Sequence, residues 1–182
     1  MTGRIYHIPV MAEAVVALLA AAPAGVIVDG TLGGAGHSAA LVEATDRLVV
    51  GVDQDPDALR EAAQRMTVPA QQGRFQTLHG NFRDLSRLLE EADLLGEQGP
   101  AGILLDLGVS SHQLDEASRG FAFRFPDAPL DMRMNPSAAS PTAGELLETL
   151  DADGVMHILR EYGEVPRPDR VARAIKQAVE DG

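Results

Sequence analysis

Asp29-Gly30-Thr31-Leu32-Gly33-Gly34-Ala35-Gly36-His37-Ser38 follows directly on the apolar run Val26-Ile27-Val28. A buried strand that ends in a glycine-rich turn can bring its backbone close to a ligand, because glycine allows tight turns and leaves no Cβ in the way. Residues 11–21, just ahead, place apolar side chains at helical spacing. Behind the turn the pattern repeats. Leu48-Val49-Val50-Gly51-Val52 ends in Asp53, and Asp55-Pro56 supplies an N-cap and a first-turn proline for a helix through about Met66. Residues 74–78 read as a third strand closing on Gly80-Asn81-Phe82, residues 84–95 are amphipathic, and residues 102–105 form a fourth apolar strand ending in Asp106-Leu107-Gly108. Apolar strands alternating with helices predict an α/β fold with a parallel sheet covered on both faces. Ligands of such sheets bind beyond the carboxyl ends of the strands, which puts Asp29, Asp53, Phe82 and Asp106 on the functional rim.

Past Gly108 the pattern changes. Residues 110–141 read as a loop rich in Gly, Pro and Met, with Ser140-Pro141 opening a helix, and two more helical stretches cover residues 152–162 and 169–180. No strand signal occurs there, so the chain divides into a sheet domain, residues 1–113, and a helical unit, residues 114–182.

Composition narrows the chemistry. The 182 residues are 45% hydrophobic, enough to bury a core, and contain no Cys. That excludes a disulfide framework, a thiolate metal site and a cysteine nucleophile within them, and fits a reducing, cytoplasmic setting. The apolar run at residues 14–22 is too short to span a bilayer, so no membrane is expected. A net charge of −12 argues against a chain that simply coats nucleic acid, although Arg160, Arg167, Arg170, Arg173 and Lys176 gather in the last stretch as a local basic face or a solvated helix surface. The five histidines form no close metal-ligand pair, so no metal is assigned. Ser110 and Ser111 lack the Gly-x-Ser-x-Gly turn of a hydrolase. Met132 and Met134 beside Arg133 read as pocket lining or as core packing.

The glycine turn alone reads as a plain turn or as a nucleotide loop. Asp53, ending the next strand, adds a carboxylate able to accept both hydroxyl hydrogens of a ribose. Gly34-Ala35-Gly36-His37-Ser38-Ala39 also satisfies the degenerate dinucleotide fingerprint, which keeps an NAD(P)-dependent oxidoreductase as the rival reading. Against it, a full helix precedes the first strand, and Asp29 would repel a pyrophosphate while suiting the cationic amino-acid end of S-adenosylmethionine. Phe82 and Asp106 would offer an apolar surface and an acceptor for adenine and its amine, or serve as a core aromatic and a helix cap.

His7-Ile8-Pro9-Val10, the glycine turn, Asp53-Gln54-Asp55-Pro56, Gly80-Asn81-Phe82 and Asp106-Leu107-Gly108-Val109-Ser110-Ser111-His112-Gln113-Leu114-Asp115 occur in that order. With Arg119-Gly120-Phe121, Pro129-Leu130-Asp131-Met132-Arg133-Met134, Tyr162-Gly163-Glu164 and Arg173-Ala174-Ile175, the sequence resembles the MraW family of bacterial small-subunit ribosomal RNA methyltransferases. The resemblance covers essentially the whole chain. It implies a Rossmann-like class I methyltransferase sheet, incomplete in this chain, followed by a helical inserted domain that recognises substrate. It also implies methyl transfer from S-adenosylmethionine to the N4 amine of a cytosine in 16S ribosomal RNA of the small subunit. By position, Ala35, Gly36, His37, Asp53, Phe82, Asp106 and Gln113 would contact the cofactor, and Asp106, Ser110 and Ser111 are the candidates for holding the target amine.

One position departs from the family pattern, and one segment differs from amine methyltransferases at large. Ala128 replaces the usual Gly before Pro129, and Leu107-Gly108-Val109 replaces the Pro-Pro-aromatic element that many amine methyltransferases carry at this strand end. The resemblance also implies further strands and helices beyond Gly182. A chain ending there is expected to bind cofactor at most, leaving a non-catalytic binding fragment as a third reading, and the strand at residues 102–105 would then be an open edge. The missing Cys favours an exocyclic amine as acceptor, because methylation at cytosine C5 normally needs a cysteine that adds to the ring.

Overall fold

A computed structural model describes residues 9–181, so His7 and Ile8 of the first resemblance motif lie outside the described residues. The chain forms two compact units, one ending at Ser111 and the other beginning at His112. The first contains α1 (Ala12–Ala20), β1 (Ile27–Asp29), α2 (Gly36–Ala44), β2 (Val49–Asp53), α3 (Pro56–Arg65), α4 (Thr67–Gln71), β3 (Phe75–His79), a 3-10 turn (Phe82–Asp84), α5 (Leu85–Glu91) and β4 (Gly102–Leu104). The strands form one parallel sheet in the order β3-β2-β1-β4, the Rossmann-like arrangement that the sequence predicts.

Alternation along the strands splits the core into two layers, because successive side chains leave a strand on opposite faces. Ile27, Val49 and Phe75 share a cluster with Leu41 and Val42 of α2 and Ala62 of α3, with Val16 and Leu19 of α1 packed against it. Val28, Val50 and Val52 pack instead with Leu88 and Leu89 of α5. Each buried aliphatic side chain contributes about 1.5–3 kcal/mol, so the two layers supply the main drive for this unit. The central strands are buried except at Asp53, the last residue of β2, whereas β3 and β4 are edges whose side chains are partly exposed.

The strand order creates the crevice. From β1 the chain moves by way of α2 to β2 on one side, and β4 returns to pair on the other. Flanking connections therefore diverge at the carboxyl ends of β1 and β4, where open parallel sheets take their ligands. The glycine turn sits at that point and is stapled down. Gly30 N–H donates to the Leu104 carbonyl at 2.9 Å and Leu32 N–H to the Val52 carbonyl at 3.1 Å. Gly51 makes room for the Leu32 side chain, since a Cβ at Gly51 would lie 2.5 Å from it.

The second unit carries most of α6 (Ser111–Asp115), a 3-10 turn (Ala117–Arg119), α7 (Ala143–Thr149), α8 (Ala152–Glu161) and α9 (Pro168–Asp181). Residues 110–141 are thus not wholly loop. The helix expected to open at Ser140-Pro141 starts two residues later, because Thr142 and Glu145 form a reciprocal capping box that satisfies first-turn donors. In α8, Asp151 Oδ1 caps the Gly154 N–H at 2.8 Å. Lys176 of α9 donates to the Leu147 carbonyl at 2.8 Å, covering a free carbonyl near the end of α7. Two arginines brace the long connection. Buried Arg119 donates to the Arg133 and Met134 carbonyls at 3.1 and 2.8 Å, and Arg133 grips Asp131 with two parallel bonds of 2.9 and 2.6 Å. That fork holds the Asp131 carboxyl below its ordinary pKa. Met132, exposed and left-handed at φ 58°, rides on this braced loop, so it is not a core residue. Among the described residues no helix is long and apolar enough to cross a membrane.

Candidate cofactor site at the strand ends

Asp29, the last residue of β1, works inward. It is 1% exposed, and its two carboxylate oxygens accept from Ser38 Oγ at 2.8 Å and from Thr31 N–H at 3.3 Å. The structure therefore corrects the expectation that Asp29 offers its charge to a ligand. Its work is to tie the start of the glycine turn to α2, and the charge argument against a pyrophosphate falls with that correction. Burial outweighs these hydrogen bonds and raises the Asp29 pKa above 3.8.

A carboxyl with a raised pKa binds its proton more tightly when folded, so its contribution to stability is fully present below pH 3.8 and is lost as pH rises through the folded value. Asp29→Asn should remove this part of the decline, since the amide stays neutral, accepts from Thr31 and donates to a reoriented Ser38 hydroxyl. Chemical-denaturation midpoints measured from pH 3.8 upward should show the variant gaining on the parent. A constant difference across that range would contradict the assignment.

Asp53, ending β2, faces the turn from the other side. Its Oδ2 accepts from Gly33 N–H at 2.8 Å and its Oδ1 from Asp55 N–H at 2.9 Å. An ionised carboxylate has about four acceptor sites, so Asp53 keeps capacity for a further donor. Asp53 is half-buried, and desolvation raises its pKa too, despite hydrogen bonds from the Asp55, Gly33 and Gln54 backbone. Asp55 in turn caps α3 through Asp57 N–H, as Asp55-Pro56 predicts.

His37, in the first turn of α2, is nearly buried. Its Nε2 lies 2.9 Å from the Val10 carbonyl, which can only accept, so Nε2 carries the proton of that bond. Its Nδ1 lies 3.9 Å from Asp106 Oδ2. Asp106, two residues past β4, is half-exposed, and its backbone N–H donates to Thr31 Oγ at 2.7 Å. Phe82 is 37% exposed in the 3-10 turn after β3, and its Cβ would lie 3.4 Å from a Cβ added at Gly30. The Leu105 side chain would come within 2.7 Å of that same atom, so a larger residue at position 30 would have to displace it. Ala35 is buried and left-handed at φ 56°, a conformation costing about 1–2 kcal/mol for a residue with a Cβ. Among the described residues, no group of three His, Asp or Glu side chains could hold a metal ion.

Residues 4–181 match the model of the MraW methylase family. The chain belongs to that family. It is 47% identical over 178 residues to the ribosomal RNA small subunit methyltransferase H of Geobacter sulfurreducens, covering 97% of this chain and 55% of the relative. It is 49% identical over 173 residues to that of Myxococcus xanthus, covering 95% and 53%. With Heliobacterium mobile the figures are 47% over 175 residues, 94% and 54%. The MraW-family chain spans about half the length of the curated relatives it matches.

Of the residues singled out in the sequence, the fold brings Asp53 onto the glycine turn, His37 next to Asp106, and Phe82 beside Gly30. Ser110 is half-buried and Ser111 is exposed at the start of α6, while Gln113 is buried in the second unit. Thr31, Ser38 and the Gln54–Asn81 pair do work that motif reading misses. Asn81 Nδ2 donates to Gln54 Oε1 at 2.9 Å, linking the segments that follow β2 and β3. The register that pairs Asp53 with His79 puts these two amides side by side, but that register is visible only once the sheet is assembled.

Proposed function

We propose that this MraW-family chain belongs to a cytoplasmic enzyme that transfers a methyl group from S-adenosylmethionine to the N4 amine of a cytosine in 16S ribosomal RNA of the small subunit. Family membership, with relatives named as ribosomal RNA small subunit methyltransferases, is the observation that carries this reading. The strand-end rim supports it. Asp53 keeps acceptor capacity for a ribose hydroxyl, Phe82 presents part of an aromatic face for adenine, and the turn from Ala35 to His37 is partly exposed at Gly36, where a ligand would meet backbone.

S-adenosylmethionine supplies an electrophilic methyl group. The residues of this chain need only hold the amine in line with it and accept the single proton that the nitrogen loses as it takes the methyl group and S-adenosylhomocysteine departs. Asp106, half-exposed with its backbone pinned by Thr31, is the acceptor closest to that task, and Ser110 and Ser111 supply neighbouring hydroxyls. No Cys occurs in these 182 residues, in keeping with direct attack by an exocyclic amine.

The test is mass spectrometry of nucleosides from small ribosomal subunits incubated with the intact enzyme to which this chain belongs and with isotopically labelled S-adenosylmethionine. Label in N4-methylcytidine is expected. Label in 5-methylcytidine alone would overturn the mechanism.

A further inference from the structure

The strained turn has a brace that lies outside the rim. Ala35 is left-handed and has no exposed surface. Such a conformation persists in a residue with a Cβ only where the surroundings over-determine it. Two hydrogen bonds hold the peptide plane that precedes it. Ala35 N–H donates to the Leu32 carbonyl at 2.8 Å, within the turn itself. The Gly34 carbonyl, at the other end of the same plane, accepts from Arg65 Nη1 at 2.8 Å. That donor arrives from the last residue of α3, 31 residues along the chain.

Rotating the Gly34–Ala35 peptide would relax Ala35, and it would break both bonds. The same plane sets the direction in which α2 begins. Its ladder starts with Ala39 N–H on the Ala35 carbonyl at 2.9 Å, so Gly36, His37 and Ser38 carry the first-turn donors that the helix itself does not use.

We propose that Arg65 is a positioning residue for the cofactor loop, acting through the Gly34 carbonyl to keep the Ala35–His37 backbone in its binding conformation. The inference rests on the reading of that backbone as a cofactor contact, and Arg65 itself need not touch the ligand. Its guanidinium is a rigid fork that orders a carbonyl at little conformational cost, which distinguishes it from a lysine at the same place.

The experiment is calorimetric titration of S-adenosylhomocysteine into the whole chain and into Arg65→Ala, Arg65→Lys, Ala35→Gly and the Arg65→Ala/Ala35→Gly double variant. Losing one such bond should weaken binding by roughly three- to tenfold in Arg65→Ala, with partial recovery in Arg65→Lys. Glycine occupies the left-handed region without help, so in the Ala35→Gly background the same change should cost less than about twofold. A general loss of stability would not produce that rescue. Hydrogen exchange in the ligand-free chain supplies a second readout, and the Ala35 amide should exchange several times faster in Arg65→Ala. Unchanged affinity in Arg65→Ala, equal losses in both backgrounds, or unchanged exchange at Ala35 would each overturn the proposal. Absence of binding by the parent chain would instead remove the cofactor reading on which it rests.

Discussion

Alanine in place of Gly120 is expected to destabilise the second unit by about 2–5 kcal/mol, the sum of a left-handed backbone penalty and an overpacking penalty. Gly120 has φ 70°, which a side chain disfavours even in open space. The space is not open. An added Cβ would lie 2.6 Å from the Pro129 carbonyl oxygen and 2.7 Å from the Asp131 nitrogen, both backbone atoms that cannot swing aside. Moving them would pull on the bond from Met132 N–H to the Arg119 carbonyl, and with it on the Arg119 and Arg133 braces. Most single substitutions cost far less, so the effect should stand clear of experimental scatter. Urea denaturation followed by circular dichroism measures it, with hydrogen exchange across residues 119–140 locating the damage. A midpoint unchanged from the parent would show that this loop is not built as described.

The second large effect concerns the rim. Asp53→Ala should weaken S-adenosylmethionine binding by roughly tenfold to a hundredfold, the usual consequence of losing a charged hydrogen-bond partner. Two losses combine in that variant. The ribose would lose its acceptor, and Gly33 N–H, now 2.8 Å from Asp53 Oδ2, would lose the bond that pins the turn. Asp53→Asn separates them in part, because the amide keeps one accepting oxygen and turns a donor toward Gly33 or Asp55. Its affinity should fall between that of the parent and that of Asp53→Ala. Titration calorimetry on variants with unchanged melting profiles makes the comparison, and equal affinity in all three proteins would remove Asp53 from the site.

The sheet is legible in the sequence because its central strands are unbroken apolar runs and their ends carry polar residues. Asp55-Pro56 marks the start of α3 as predicted. Elsewhere competing local signals mislead. Ser140-Pro141 carries a start signal, yet the capping box of Thr142 and Glu145 sets the first turn of α7. Pro69 argues against helix, but it is only the third residue of α4, where its missing N–H costs nothing. At the site, residue type and strand position identify Asp53 and Phe82, while the direction a side chain takes is decided by its neighbours. Asp29 turns inward because Ser38, in the first turn of α2, offers it a hydroxyl in the core. Thr31 and Arg65 find their partners 75 and 31 residues away, contacts that no local pattern announces.

The proposed S-adenosylmethionine site at the strand-end rim of this MraW-family chain includes a glycine turn that also satisfies a dinucleotide fingerprint. Parallel calorimetric titrations of the chain with S-adenosylmethionine and with NAD test it most directly. Saturable binding of S-adenosylmethionine at one site per chain and no heat of binding with NAD are expected. Saturable binding of NAD, with none of S-adenosylmethionine, would contradict it.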